Sequence, residues 1–152
     1  MRQIYMETTV YTEKPYRGVR EWLQALSATG ARLYSCSLRP VAYIEAGLQS
    51  AGIEAYFDGH MGTDPATGRV DKCDVIQYEM EQRGLKKSET ILIGDTNFDR
   101  DAAKKAGIAF VGVTYGYSEN PDDLAGADHV VDTVAQLQAL TLRLAHEGDL
   151  DV

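Results

Sequence analysis

Asp95 and Asp99 stand four residues apart, directly after the apolar run Ile91-Leu92-Ile93-Gly94. In open parallel sheets, ligands gather beyond the carboxyl ends of the strands. Two carboxylates at such a place suit a hard cation, above all magnesium, which takes one or two carboxylates and fills the rest of its octahedral shell with water and phosphate oxygens. Two other segments bring polar groups to the same edge: Ser35 and Ser37 leave an earlier strand, and Lys72 opens a helix after a long loop. A hydroxyl can hold a phosphate by hydrogen bond and a lysine as a point charge. The N-termini of the helices that follow add backbone N–H groups aimed at the same anion. Together these parts suit phosphoryl transfer, which is catalysed mostly by positioning and charge compensation. Each residue also has a plainer role. Asp95 could form a turn, Asp99 could sit in the first turn of a helix where its dipole favours a carboxylate, Ser37 could cap, and Lys72 could be solvated. The joint placement on one sheet edge argues for chemistry.

Weaker candidates surround this set. His60 lies on the loop near the expected opening, while His129 and His146 read as surface or C-terminal residues. Arg39 and Arg69 could meet an anion, and Tyr115, Tyr117 and Asn120 form a polar aromatic loop that either lines a mouth or caps the sheet.

The elements that must carry these residues follow from apolar periodicity. Val19, Trp22, Leu23 and Leu26 are spaced for a helix that Gly30 stops, and Ala31–Ser37 reads as a buried strand. Pro40 can open a second helix that ends at Gly52. Ile53–Phe57 is a short strand candidate, followed by an irregular loop rich in Gly, Asp, Thr and Pro from Asp58 to Asp71. A helix is expected over Lys72–Arg83, a strand over Thr90–Gly94, and a helix over Asp99–Ala106 whose Ala102, Ala103 and Ala106 permit close approach to a sheet. Ile108–Val113 is a further strand, Asp128–Val131 an edge strand, and Val134, Leu137, Leu140 and Leu144 mark a last amphipathic helix. The stretch before Pro15 reads at most as one helix running into a loop and shows no convincing strand. Helices alternating with short, non-alternating apolar strands indicate an α/β domain with a parallel sheet covered on both faces.

With 152 residues, 44% of them hydrophobic, the chain can bury one substantial core. A formal charge of -8, spread along the sequence, argues against a nucleic-acid partner, which needs a basic face. No long apolar segment suggests a signal peptide or membrane span, so a soluble cytoplasmic protein is expected. Cys36 and Cys73 lie far apart, with no cluster that suggests zinc or a disulfide framework. Neither glycine-rich phosphate fingerprint occurs.

In sequence order, several fragments resemble the haloacid dehalogenase (HAD) superfamily, and within it the phosphoglycolate phosphatase-like and phosphonatase-like hydrolases. Pro15-Tyr16-Arg17-Gly18-Val19 resembles the start of the core after the cap, and Ser37-Leu38-Arg39-Pro40 the second motif, although Leu38 and Arg39 depart from it. Val70-Asp71-Lys72-Cys73-Asp74 resembles the third motif, and Gly94-Asp95 with Asp99 the fourth. The runs from Ala102 to Ile108 and from Gly112 to Tyr117 resemble the stretches around the last core strand.

The resemblance implies a three-layer Rossmann-like core and a magnesium-dependent phosphomonoester phosphatase acting on a phosphorylated small molecule. It implies Ser37 and Lys72 on the phosphate and Asp95 and Asp99 on Mg2+. Family members attack with an aspartate on a first strand ending Asp-x-Asp-Gly-Thr, forming an aspartyl-phosphate that water hydrolyses. No such motif occurs in this sequence. In the family that first strand lies at the centre of the sheet, so the resemblance implies a core missing its central strand. The segment from Arg2 to Thr12 is similar to the end of the helical cap. Residues 1–14 are therefore expected to be a cap remnant and linker, residues 15–152 an incomplete core, and the chain a truncated form that is inactive alone. The alternative is a nonenzymatic phosphate-binding or partner-binding protein, completed through its open sheet by a missing N-terminal polypeptide or by self-association.

Overall fold

Thr90–Gly94 is buried at every position, as a strand covered on both faces must be. It organises a six-stranded parallel sheet in a computed structural model that describes residues 3–7, 18–36, 45–46, 48–49, 52–64, 66, 68–114 and 121–150. The strands are β1 (Gln3–Glu7), β2 (Arg32–Cys36), β3 (Gly59–Met61), β4 (Thr90–Gly94), β5 (Ala109–Val113) and β6 (His129–Val131), in spatial order β3-β2-β1-β4-β5-β6. The helices are α1 (Val19–Ala28), α2 (Lys72–Arg83), α3 (Asn97–Ala106) and α4 (Val134–Leu150). The α/β architecture, with helices flanking a parallel Rossmann-like sheet, is the expected one.

Alternation along the strands divides the core in two. On one face Ile4, Leu33, Ile91, Ile93, Val111 and Val113 pack with Val19, Trp22, Leu23 and Leu26 of α1 and Val134 and Leu137 of α4. Trp22 Nε1 donates to Thr141 Oγ1 at 2.9 Å, joining those two helices inside the core. On the other face Tyr34, Cys36, Leu92 and Phe110 meet Val75, Ile76 and Met80 of α2 and Ala102, Ala103 and Ala106 of α3. Gly84 and Gly107 end α2 and α3 in the left-handed conformation, with φ of 64° and 75°, which a glycine adopts without steric cost.

Two expectations are corrected. The central slot is not open: Gln3–Glu7 fills it, Gln3 to Glu7 pairing with Arg32 to Cys36 and Gln3 to Met6 with Thr90 to Ile93. The physical reason lies in the neighbours. An open slot would leave the facing N–H and C=O groups of two buried strands unpaired, and a short extended segment satisfies both ladders. This strand lies in the segment expected to be cap remnant, and it closes the gap through which another polypeptide was to complete the sheet. The boundary expected between residues 14 and 15 lies outside the described residues.

The second correction concerns Ile53–Phe57, which is not a strand. Glu54–Tyr56 forms a 3-10 turn, and pairing with β2 begins later. Asp58 sets the start: its N–H donates to Leu33 O at 2.7 Å and its carboxylate accepts from Leu33 N at 2.8 Å. Gly59, His60 and Met61 then pair with Tyr34, Ser35 and Cys36. Between Asp58 and Asp71 the expected irregular loop thus contains β3, and also an antiparallel bridge between Asp64 and Arg69. Of the helix expected after Pro40, only residues 45–46 and 48–49 are described, as helix.

Candidate active site

At the carboxyl edge of the sheet, α2 and α3 each begin with a reciprocal cap. Asp71 accepts from Asp74 N at 2.8 Å, and the Asp74 carboxylate accepts from Asp71 N at 3.2 Å. Thr96 Oγ1 accepts from Asp99 N at 3.4 Å, and Asp99 Oδ2 accepts from Thr96 N at 3.2 Å. Capping boxes of this kind satisfy backbone donors that a helix start leaves orphaned. They also fix the first helical turns, and so the directions of Lys72 and Asp99.

Lys72 Nζ and Asp99 Oδ1 form an ion pair in which Lys72 is 7% exposed and Asp99 0%. The other carboxylate oxygen, Oδ2, also accepts from Asp95 N at 3.1 Å and Thr96 Oγ1 at 3.0 Å. Asp99 is thus an anion held by a cation on one oxygen and three donors on the other. Room for it comes from Gly94, where an added Cβ would overlap the Asp99 side chain, 2.5 Å from both Cβ and Oδ2. Asp95, 1% exposed, follows directly at the strand end and is itself engaged.

The structure therefore brings together three of the four expected site residues: Lys72, Asp95 and Asp99. Ser37, the fourth, lies outside the described residues, as do Arg39, Tyr115, Tyr117 and Asn120. Ser35 is buried on β2, but on the sheet face that carries Leu33 and α1, away from the face where α2 and α3 pack. His60 sits in β3 with Nε2 3.1 Å from Glu54 Oε1. Arg69 lies 3.0 Å from Asp64 and 3.7 Å from Glu79, with its guanidinium 4.3 Å from the centre of the Tyr78 ring, a set of contacts that anchors the loop before α2. His129 lies in β6, and the His146 side chain is outside the described set.

Sequence reasoning assigned Lys72 to one ligand and Asp99 to another, and missed that they hold each other. The first-turn role considered for Asp99 is present together with this pairing. Signals for the two helix starts, though not for the pairing, were available: Thr96-Asn97-Phe98-Asp99 and Asp71-Lys72-Cys73-Asp74 both have capping-box spacing.

No cluster of three or more His, Cys, Asp or Glu residues that could hold a metal occurs among the described residues. Asp95 and Asp99 offer two carboxylates, a donor set too small for an all-protein cage. It does fit magnesium, which keeps waters and takes substrate phosphate oxygens. Lys72 beside Asp99 offsets part of the local negative charge.

A family model described as haloacid dehalogenase-like hydrolase matches residues 1–113. Phosphoglycolate phosphatase of Vibrio vulnificus (strain YJ016) is 32% identical over 139 residues, covering 91% of this chain and 61% of its own. The crystal structure of a predicted phosphatase from Clostridium acetobutylicum superimposes with a TM-score of 0.79 at 31% identity, over 86% of this chain and 61% of that one. A predicted phosphoglycolate phosphatase from Haemophilus somnus 129PT gives 0.75 at 28% identity, over 84% and 57%. The chain thus spans about three-fifths of the length of the relatives it matches.

Proposed function

From the chain's membership of the haloacid dehalogenase-like hydrolases, we propose that it carries the phosphate- and magnesium-holding part of a phosphomonoesterase site. The observation that carries this reading is the buried Lys72–Asp99 ion pair beside Asp95 at the carboxyl edge of the sheet. Asp95 and Asp99 would hold Mg2+, while Lys72 and Ser37 would hold the phosphate. The metal supplies charge compensation for the phosphoryl oxygens. Lys72 bridges the two halves of the site by neutralising Asp99 while bringing its positive charge beside the anion. The capping boxes at Asp71 and Thr96 keep both groups in place without further ordering when the ligand arrives.

The substrate class is a phosphorylated small molecule, by analogy with the phosphoglycolate phosphatases among the relatives. Because no Asp-x-Asp-Gly-Thr occurs in the 152 residues, the chain by itself binds phosphate but turns over phosphate esters negligibly. Calorimetric titration with inorganic phosphate should show binding that magnesium strengthens and Asp95→Asn weakens. Robust hydrolysis of p-nitrophenyl phosphate by the pure chain, lost in Asp95→Asn, would show that a nucleophile has been misplaced.

The absent nucleophile motif favours a second reading, a phosphate-binding protein with no catalytic role. Completion by another polypeptide has lost its structural motive, since β1 occupies the centre of the sheet. The two readings part on phosphate-ester protection: a hydrolase site holds an intact phosphomonoester as well as free phosphate, whereas a sensor of the product holds free phosphate alone.

A further inference from the structure

Across the sheet from Lys72 and Asp99, two buried polar atoms stand unsatisfied on neighbouring strands. Ser35 Oγ and His60 Nδ1 have no hydrogen-bond partner among the described residues, though Ser35 is 0% exposed and the His60 side chain 7%. They are not scattered defects. Ser35 and His60 are direct register partners in the parallel β2–β3 ladder, so their side chains leave the sheet on the same face. That face carries Leu33, and Phe57 packs against it with its ring centroid 6.0 Å from that of His60.

The far side of the imidazole fixes its chemistry. Glu54 Oε1 lies 3.1 Å from Nε2, and a carboxylate can only accept, so Nε2 carries the proton and in the neutral ring Nδ1 presents a lone pair. Ser35 can donate or accept. A ligand held by both must therefore donate to Nδ1 and exchange a second hydrogen bond with Oγ, and a single water can do both. Leaving both atoms unmatched would cost each its desolvation penalty, whereas one buried water with two protein partners relieves both.

We propose that Ser35 Oγ and His60 Nδ1 together bind one structural water, which completes a polar chain Glu54–His60–water–Ser35. The chain ties the 3-10 turn at Glu54–Tyr56 and the edge strand β3 to the interior strand β2. It thereby fixes the entry to the loop that leads to Lys72, a role independent of any activity at the opposite face.

The test begins with the unaltered protein. A crystal structure that shows ordered solvent should contain a water within hydrogen-bond distance of both atoms, and long-range proton–nitrogen correlation of the His60 ring should show the Nε2–H form. Thermal unfolding of Ser35→Ala, His60→Phe and the double variant then reads the coupling. Each single change should lower the midpoint by roughly 3 °C or more, and the double variant should fall short of the sum because the second change no longer strands a partner. Additive shifts, an Nδ1–H ring, or density with no water between the two side chains would each overturn the proposal. Failure of one variant to fold leaves the solvent map and the ring protonation to decide.

Discussion

The two strands that flank β1 end very differently. On one side β4 runs into Asp95, Thr96 and Asp99, where the Asp99 carboxylate accepts from three donors and pairs with a lysine. On the other, β2 carries an unmatched hydroxyl one residue before its end, beside an unmatched imidazole nitrogen on a three-residue edge strand. On the charged side each Asp99 oxygen is answered by a partner, and all but Lys72 lie within four residues. The β2–β3 side is held by register and apolar packing, with Asp58 setting where the ladder begins. A site that must hold phosphate and metal needs its groups pre-positioned, and the better-satisfied side is the one that offers them.

Substitutions on the β4 side should accordingly be the costly ones. Asp99→Ala strands the buried Lys72 cation and removes half of a capping box, so urea denaturation should show a loss of about 3–5 kcal/mol. A loss under about 1 kcal/mol would mean that Lys72 reaches water easily and the edge is looser than described. Gly94→Ala should follow at roughly 1–3 kcal/mol, because its Cβ would press on the Asp99 side chain. It should also weaken magnesium-dependent phosphate binding more than its stability loss alone explains. Asp71→Ala, which removes the cap of α2, should cost about 1 kcal/mol in the same denaturation experiment. Least affected should be Glu54→Ala on the β2–β3 side, since Glu54 is substantially exposed; a loss of roughly 1 kcal/mol or less is expected. Glu54→Ala as damaging as Asp99→Ala would mean that the two sides are held equally firmly.

The same contrast governs what could be read from the residues alone. β4 and α3 were legible because their signals are local: an uninterrupted apolar run, Gly94-Asp95 at its end, and small residues at Ala102, Ala103 and Ala106. The α2 helix was equally plain from Asp71-Lys72 at its start and Gly84 at its end. β1 was not legible, because Ile4-Tyr5-Met6 is an apolar run of only three residues between polar neighbours, too short to stand out although Ile and Tyr favour strands. It becomes a strand through two ladders supplied by distant residues. β3 failed for a related reason: Gly59-His60-Met61 has no strand pattern, whereas Ile53–Phe57 has one that its turn overrides. At the site, sequence placed Lys72, Asp95 and Asp99 on one edge. It did not reveal the ion pair, since 27 positions separate Lys72 from Asp99 and only the packing of α2 against α3 brings them together.

The position of β1 has a consequence in time. Its pairing with β2 can form once Cys36 is available, but its pairing with β4 joins Met6 to Ile93, with more than half of the chain between them. During translation at 5–20 residues per second, the strand leaves the ribosome roughly 4–17 s before its second neighbour. Until then one edge of β1 is unpaired, and loop closure makes this contact late in folding as well. The central strand of the finished sheet is thus, for much of the chain's synthesis, an exposed edge that chaperones or other nascent chains can reach.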